Sequence, residues 1–130
     1  GMDIVLSCPK GYKPDAEILE RARRESKNNI QLIDDPLEAA STADVLYTDV
    51  WVSMGQEEDT KKRIKVFKQY QINKKLLARA RPDAIVMHCL PAHRGEEITD
   101  EVIDGPHSVV FDQAENRLHT QKALLEMLIK

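Results

Sequence analysis

Short apolar runs alternate along this chain with longer stretches whose apolar residues recur at helical spacing. Residues 3–7 are a β-rich run, ended in a turn by Cys8, Pro9, Lys10 and Gly11. Pro14 and Asp15 open a helix of about four turns, since proline suits the first helical position and acids suit the first turn. Its apolar stripe is Ile18, Leu19 and Ala22; Arg21, Arg23, Arg24 and Glu25 face water, and Asn28 with Asn29 stops it. Residues 30–34 alternate as a strand near a sheet edge does, and Asp35 with Pro36 starts a brief helix through Leu37, Ala39 and Ala40. Residues 44–49 make a third strand. The strongly charged residues 56–63 read as a mobile loop merging into a helix that carries Ile64, Phe67 and Tyr70. Asn73 caps the next helix, which turns Leu76, Leu77 and Ala80 inward and stops at Arg81 and Pro82.

Residues 83–94 are the stretch around which the rest is organised. They open as an apolar strand of the kind buried on both faces, then break at Pro91 with His88, Cys89 and His93 near the break. Residues 99–105 give a short capped helix ended by glycine, and residues 108–111 the last strand. An amphipathic helix carrying Leu118, Leu124, Leu125 and Leu128 then runs to the C-terminus. Strands alternating with helices predict an α/β fold, a three-layer αβα arrangement around a mostly parallel, Rossmann-like sheet. The chain enters a strand directly after Gly1 and Met2, and glycine usually follows a helix end. Either a tag remnant or a cut just past a helix fits this start. The expectation is a sheet that lacks its first strand.

With 130 residues the chain is one domain, long enough to bury a core without disulfide or metal staples. A net charge of -3 gives no electrostatic case for nucleic acid or an anionic membrane as partner. No apolar run approaches a membrane span, and no secretion signal opens the chain. The two cysteines, Cys8 and Cys89, read as reduced thiols of a cytoplasmic protein.

In open parallel α/β sheets, ligands gather beyond the carboxyl ends of the strands. That rule brings residues 49–54, 88–93 and 112–117 to one edge. Each set also has an ordinary structural explanation. Trp51 suits a core, Asp49 a turn cap, and Cys89 a small buried hydrophobe. His88 and His93 beside Cys89 raise the idea of a metal, but the ligand set is incomplete and its spacing unlike the common zinc motifs. Arg117, read as early in a helix, is unfavourable for the helix dipole and so points to an anion or a carbonyl.

Taken together, Asp49-Val50-Trp51-Val52-Ser53-Met54-Gly55, His88-Cys89-Leu90-Pro91 and Phe111-Asp112-Gln113-Ala114-Glu115-Asn116-Arg117 resemble ornithine carbamoyltransferases in order and spacing. The resemblance runs over all 130 residues. Ser53-Met54-Gly55 is its most discriminating part, because carbamoyltransferases for aspartate, putrescine or acetylated ornithine differ there. Family members are much longer, so the resemblance is to the C-terminal, ornithine-binding domain alone. The carbamoyl-phosphate domain with its Ser-Thr-Arg-Thr motif has no counterpart. Neither has the Gly-Asp-Gly-Asn-Asn-like turn that follows a mid-sheet strand in the family, which implies a gap between neighbouring strands.

The reaction implied is attack of the ornithine side-chain amine on carbamoyl phosphate, giving citrulline and phosphate, without metal or organic cofactor. An aliphatic amine has a reference pKa of about 10.4, so the site must favour its neutral form and hold it in line. By resemblance, Asp49 and Ser53 hold the α-amino group and the Met54 N–H meets the carboxylate. Cys89 orients the amino acid, without a covalent intermediate, and the Leu90 carbonyl accepts from the carbamoyl NH2. Arg117 donates to the carbamoyl oxygen as that oxygen gains charge. His88 stands beside the site with no proton-transfer role. The charged loop 56–63 resembles a segment that closes over bound amino acid. The family forms homotrimers, mostly through the other domain, so the lone chain is expected to be inactive and free to self-associate. Two other readings stay open: a carbamoyltransferase for another amine, or a non-catalytic α/β module that binds amino acids or assembles with a partner.

Overall fold

The computed structural model describes residues 1–52 and 60–129. Strand β1 (Ile4–Leu6) leads through helix α1 (Ala16–Glu25) to β2 (Ile30–Leu32), and the two strands pair in parallel, Ile4 opposite Ile30. Helix α2 (Pro36–Ala39) leads to β3 (Val45–Thr48). Helix α3 (Thr60–Phe67), a 3₁₀ turn at Lys68–Tyr70 and α4 (Lys74–Leu77) follow, ahead of β4 (Ile85–His88). β4 pairs in parallel with β3, and α5 (Asp100–Ile103) and α6 (Val110–Leu128) complete the order. Helices α1, α2 and α4 begin where the sequence supplies an acceptor for free N–H groups. Asp15 accepts from Glu17 and Ile18, Asp35 from Leu37 just before Pro36, and Asn73 from Leu76 at 3.0 Å. Among the described residues no helix is long and apolar enough to cross a membrane.

The strands form two separate two-stranded sheets, β1–β2 and β3–β4. Between them lies a cleft of about 990 Å³, with Val5 and Ser7 on one side and Val45, Tyr47 and Asp49 on the other. The backbone explains the separation. Ile4 N–H donates to the Asn29 carbonyl at 2.9 Å, and the Leu6 carbonyl accepts from Ile33 N–H at 3.0 Å. A parallel strand uses alternate residues toward a given neighbour, so the peptide groups of Val5 point away from β2. On β3 the Asp44 carbonyl accepts from Ile85 N–H at 3.0 Å, which turns Val45 and Tyr47 away from β4 in the same manner. Strand backbone therefore edges the cleft on both sides, which is the gap the sequence led one to expect.

Hydrophobic burial is concentrated on the β3–β4 side. Leu46 and Val86 meet Ile72, Leu76, Ile98 and Val110, and among the described residues none of that cluster precedes Ala40. Trp51 is buried as expected of a core residue, its ring 5.9 Å from that of Phe67. Three expectations need correction. The run 108–111 is not a strand: Ser108 makes a single parallel bridge to Val86, and α6 begins at Val110. Val110 is fully buried while Phe111 is 66% exposed, so sinking one valine decides the conformation over the β preference of the run. Helix α1 has ten residues, shorter than expected, and Ile18 of its supposed apolar stripe is 58% exposed. Leu118, Leu124, Leu125 and Leu128 of α6 are likewise exposed.

This one-sided core gives a test. Ile98→Ala, at a fully buried position, should lower the unfolding free energy by about 2–5 kcal/mol. Ile18→Ala should change it by less than about 0.5 kcal/mol, both read by urea denaturation.

Candidate active site

Thr48 of β3 stands opposite His88 of β4 in a parallel register. Both strands therefore end at the same level and deliver their next residues, Asp49 and Cys89, side by side. The Cys89 thiol donates to Asp49 Oδ1 at 3.0 Å, and the same oxygen accepts from Val50 N–H at 2.7 Å, which bends the chain away from the strand. Partial burial pushes the Cys89 thiol above its ordinary pKa, and the bond to the Asp49 carboxylate pushes it further, with Tyr47 acting in the opposite sense. A thiol held in this way is kept protonated and is a poor nucleophile.

Tyr47 joins the site from the same face of β3, since side chains two apart share a face. Its phenol is raised by burial first and then by Cys89, and is eased by the amide of Gln113 in the first turn of α6. Arg117 lies four residues beyond Gln113, hence on the same helix face one turn further along. It is exposed and, among the described residues, makes no side-chain hydrogen bond. It sits about two turns into α6, so the dipole argument for a position early in a helix does not apply.

The turn after Cys89 is fixed from several sides. His88 is fully buried; its Nδ1 accepts from Leu90 N–H at 2.8 Å and its Nε2 meets Glu97 Oε1 at 3.0 Å. Nδ1, being an acceptor, carries no proton, so Nε2 is the donor and the ring is neutral. With both nitrogens engaged, His88 has none left for a metal. Leu90 adopts φ 54°, the left-handed region that leucine rarely occupies, and the Leu90–Pro91 peptide is cis. The His93 N–H donates to Glu97 Oε1 at 2.6 Å. The buried Gln71 amide donates to the carbonyls of Gly95 and Glu96 at 2.8 and 2.7 Å. Arg94 grips Asp100 and Asp104, holding the Asp104 carboxyl below its ordinary range.

Asp49, Cys89 and Leu90 are thus gathered at one strand edge, with Arg117 on the helix leading away from it. Ser53, Met54 and residues 56–59 of the charged loop lie outside the described residues. Tyr47, Gln71, Glu97 and Gln113 were not foreseen. Glu97 stands in the run Arg94-Gly95-Glu96-Glu97, which reads as a solvated charged turn; only its distant pairing with His88 marks it.

A carboxylate, a thiol and a backbone carbonyl thus meet at the strand ends of a parallel α/β frame. Residues 1–128 match the family model for the aspartate/ornithine carbamoyltransferase Asp/Orn binding domain, and the chain belongs to that family. It is 63% identical to an ornithine carbamoyltransferase of Syntrophus aciditrophicus over 126 residues, 97% of this chain but 42% of that protein. A Methanosarcina mazei ornithine carbamoyltransferase is 57% identical over 130 residues, 100% of this chain and 43% of that one. The structure of ornithine carbamoyltransferase from Pyrococcus furiosus superposes with a TM-score of 0.88 at 54% identity, covering 96% of this chain and 41% of that one. The chain therefore spans less than half the length of the relatives it matches.

The thiol–carboxylate contact can be checked directly. In a Cys8→Ser background, Asp49→Asn should lower the Cys89 pKa and speed its alkylation by iodoacetamide at pH 7.5 by roughly three- to tenfold. An unchanged rate would mean that the carboxylate does not hold the thiol.

Proposed function

We propose that this chain is the ornithine-binding part of an ornithine carbamoyltransferase, the transferase that joins L-ornithine and carbamoyl phosphate into citrulline and phosphate. The observation that carries the reading is the Asp49–Cys89 pair at the paired ends of β3 and β4, in a chain 63% identical to an ornithine carbamoyltransferase. Asp49 is a fixed anion for the α-ammonium group of ornithine, with Ser53 a second contact. The Met54 N–H meets the carboxylate. Cys89, kept as a thiol, orients the amino acid against Asp49. The Leu90 carbonyl accepts from the carbamoyl NH2, and its aim is set by the bond from Leu90 N–H to His88. Arg117, free of other side-chain partners among the described residues, donates to the carbamoyl oxygen as charge develops there.

Phosphate binding belongs to a carbamoyl-phosphate domain outside residues 1–130, a reading that the greater length of the relatives supports. The same outside polypeptide supplies a strand to the cleft between β1 and β3, whose unpaired edges suit one more parallel strand. The complete enzyme works as a homotrimer in the cytoplasm, in arginine biosynthesis or the urea cycle.

Within a complete polypeptide, Asp49→Asn should raise the KM for ornithine about ten- to hundredfold, the loss of one charge-assisted hydrogen bond. Arg117→Lys should lower kcat about a hundredfold or more. The isolated chain should make no citrulline above background in a colorimetric assay; normal turnover by it would overturn the two-domain reading. Putrescine preferred over ornithine by the complete enzyme would overturn the substrate.

A further inference from the structure

The turn that carries Leu90 contains a buried carboxyl group that is only half satisfied. Glu97 is fully buried, its Oε1 accepts both from His88 Nε2–H and from His93 N–H, and its Oε2 has no hydrogen-bond partner among the described residues. His88 brings no positive charge to that group, because its Nδ1 accepts from Leu90 N–H and Nε2 alone carries the proton. Buried polar atoms almost always have a partner, and Oε2 is an exception among the described residues. An isolated buried carboxylate is unfavourable unless a cation meets it.

The neighbours of Glu97 are cation ligands. One donor atom each from His93, Glu96 and Glu97 lie within 4.8 Å of one another. His93 Nδ1 is 3.7 Å from Glu96 Oε2. His93 is exposed and Glu96 half-buried, so solvent reaches one side of the group while Glu97 closes the other. Gln71, Arg94 and Glu97 hold the turn in shape, and the side chains of His93 and Glu96 are not needed for it.

We propose that His93, Glu96 and Glu97 form a binding site for a single divalent transition-metal ion of the Zn²⁺ type, with one imidazole nitrogen, two carboxylate oxygens and water completing the shell. An imidazole with two carboxylates and few protein ligands suits Zn²⁺ better than Ca²⁺ or Mg²⁺, which take all-oxygen shells of higher number. The ion takes no part in carbamoyl transfer and is independent of that reading. Its bond to Glu97 ties it to the hydrogen bonds that aim Leu90, so occupancy stiffens the turn beside Cys89.

The test uses the full chain with Cys8→Ser and Cys89→Ser, which removes thiols as competing ligands. Titration with Zn²⁺ against a chromogenic chelator should show one ion per chain. His93→Ala and Glu96→Gln, at the open side where folding is not at stake, should each weaken binding at least tenfold, and Glu97→Gln should abolish it. Zn²⁺ should raise the Tm of the parent and not that of His93→Ala. Absence of stoichiometric binding, equal affinity in the His93 and Glu96 variants, or binding only while the cysteines are present would each overturn the proposal.

Discussion

The in-register, parallel pairing of β3 with β4 is the constraint on which the candidate site depends. Pairing Thr48 with His88 makes Asp49 and Cys89 neighbours, although they are separated by 40 positions in the chain. A slip of one residue would turn one of the two side chains to the opposite face. Antiparallel pairing would send the two chains out at opposite ends. What resists a slip is burial: Leu46 and Val86 are register partners, and both are buried in the core. The same apolar contact that stabilises the domain thus sets a polar contact three residues further on.

Beyond the strand ends, the backbone is held in a conformation it would not choose. The left-handed Leu90 costs on the order of 1–3 kcal/mol by itself. His88 repays part of that through its bond to Leu90 N–H, and Gln71 and Arg94 brace the far side of the turn. A buried polar pair, a strained leucine and a buried glutamine gathered around one strand end break the local rules of a stable fold together. Natural proteins concentrate such exceptions where a backbone group must be aimed at a ligand.

Signals with a local cause were legible in the sequence. Asp35 before Pro36 and Asn73 before a periodic stretch announce helix starts, and the apolar runs of β1 to β4 announce strands. The Asp49–Cys89 meeting was legible too, because it follows from strand ends in a parallel sheet. What depends on distant contacts was not. Val110 and Phe111 look alike as a β-rich pair, and only the core tells the buried one from the exposed one. Glu97 and Gln71 look like surface residues until His88 and the turn carbonyls are brought to them. Arg117 was rightly tied to a helix, but its depth in that helix hinged on where the preceding strand stopped, and that strand is absent.

The lopsided core has a consequence for motion. The unit β1–α1–β2 contributes none of the described core cluster and touches the rest through contacts such as Tyr12 with Phe67 and Tyr70 with the Asp34 carbonyl. Cooperative opening follows lines of weak burial, so this unit can peel away as an outer leaf while its neighbour keeps its shape. Amide protons of the leaf would then exchange ahead of those in β4, and the thiol and carboxylate would stay together through such excursions.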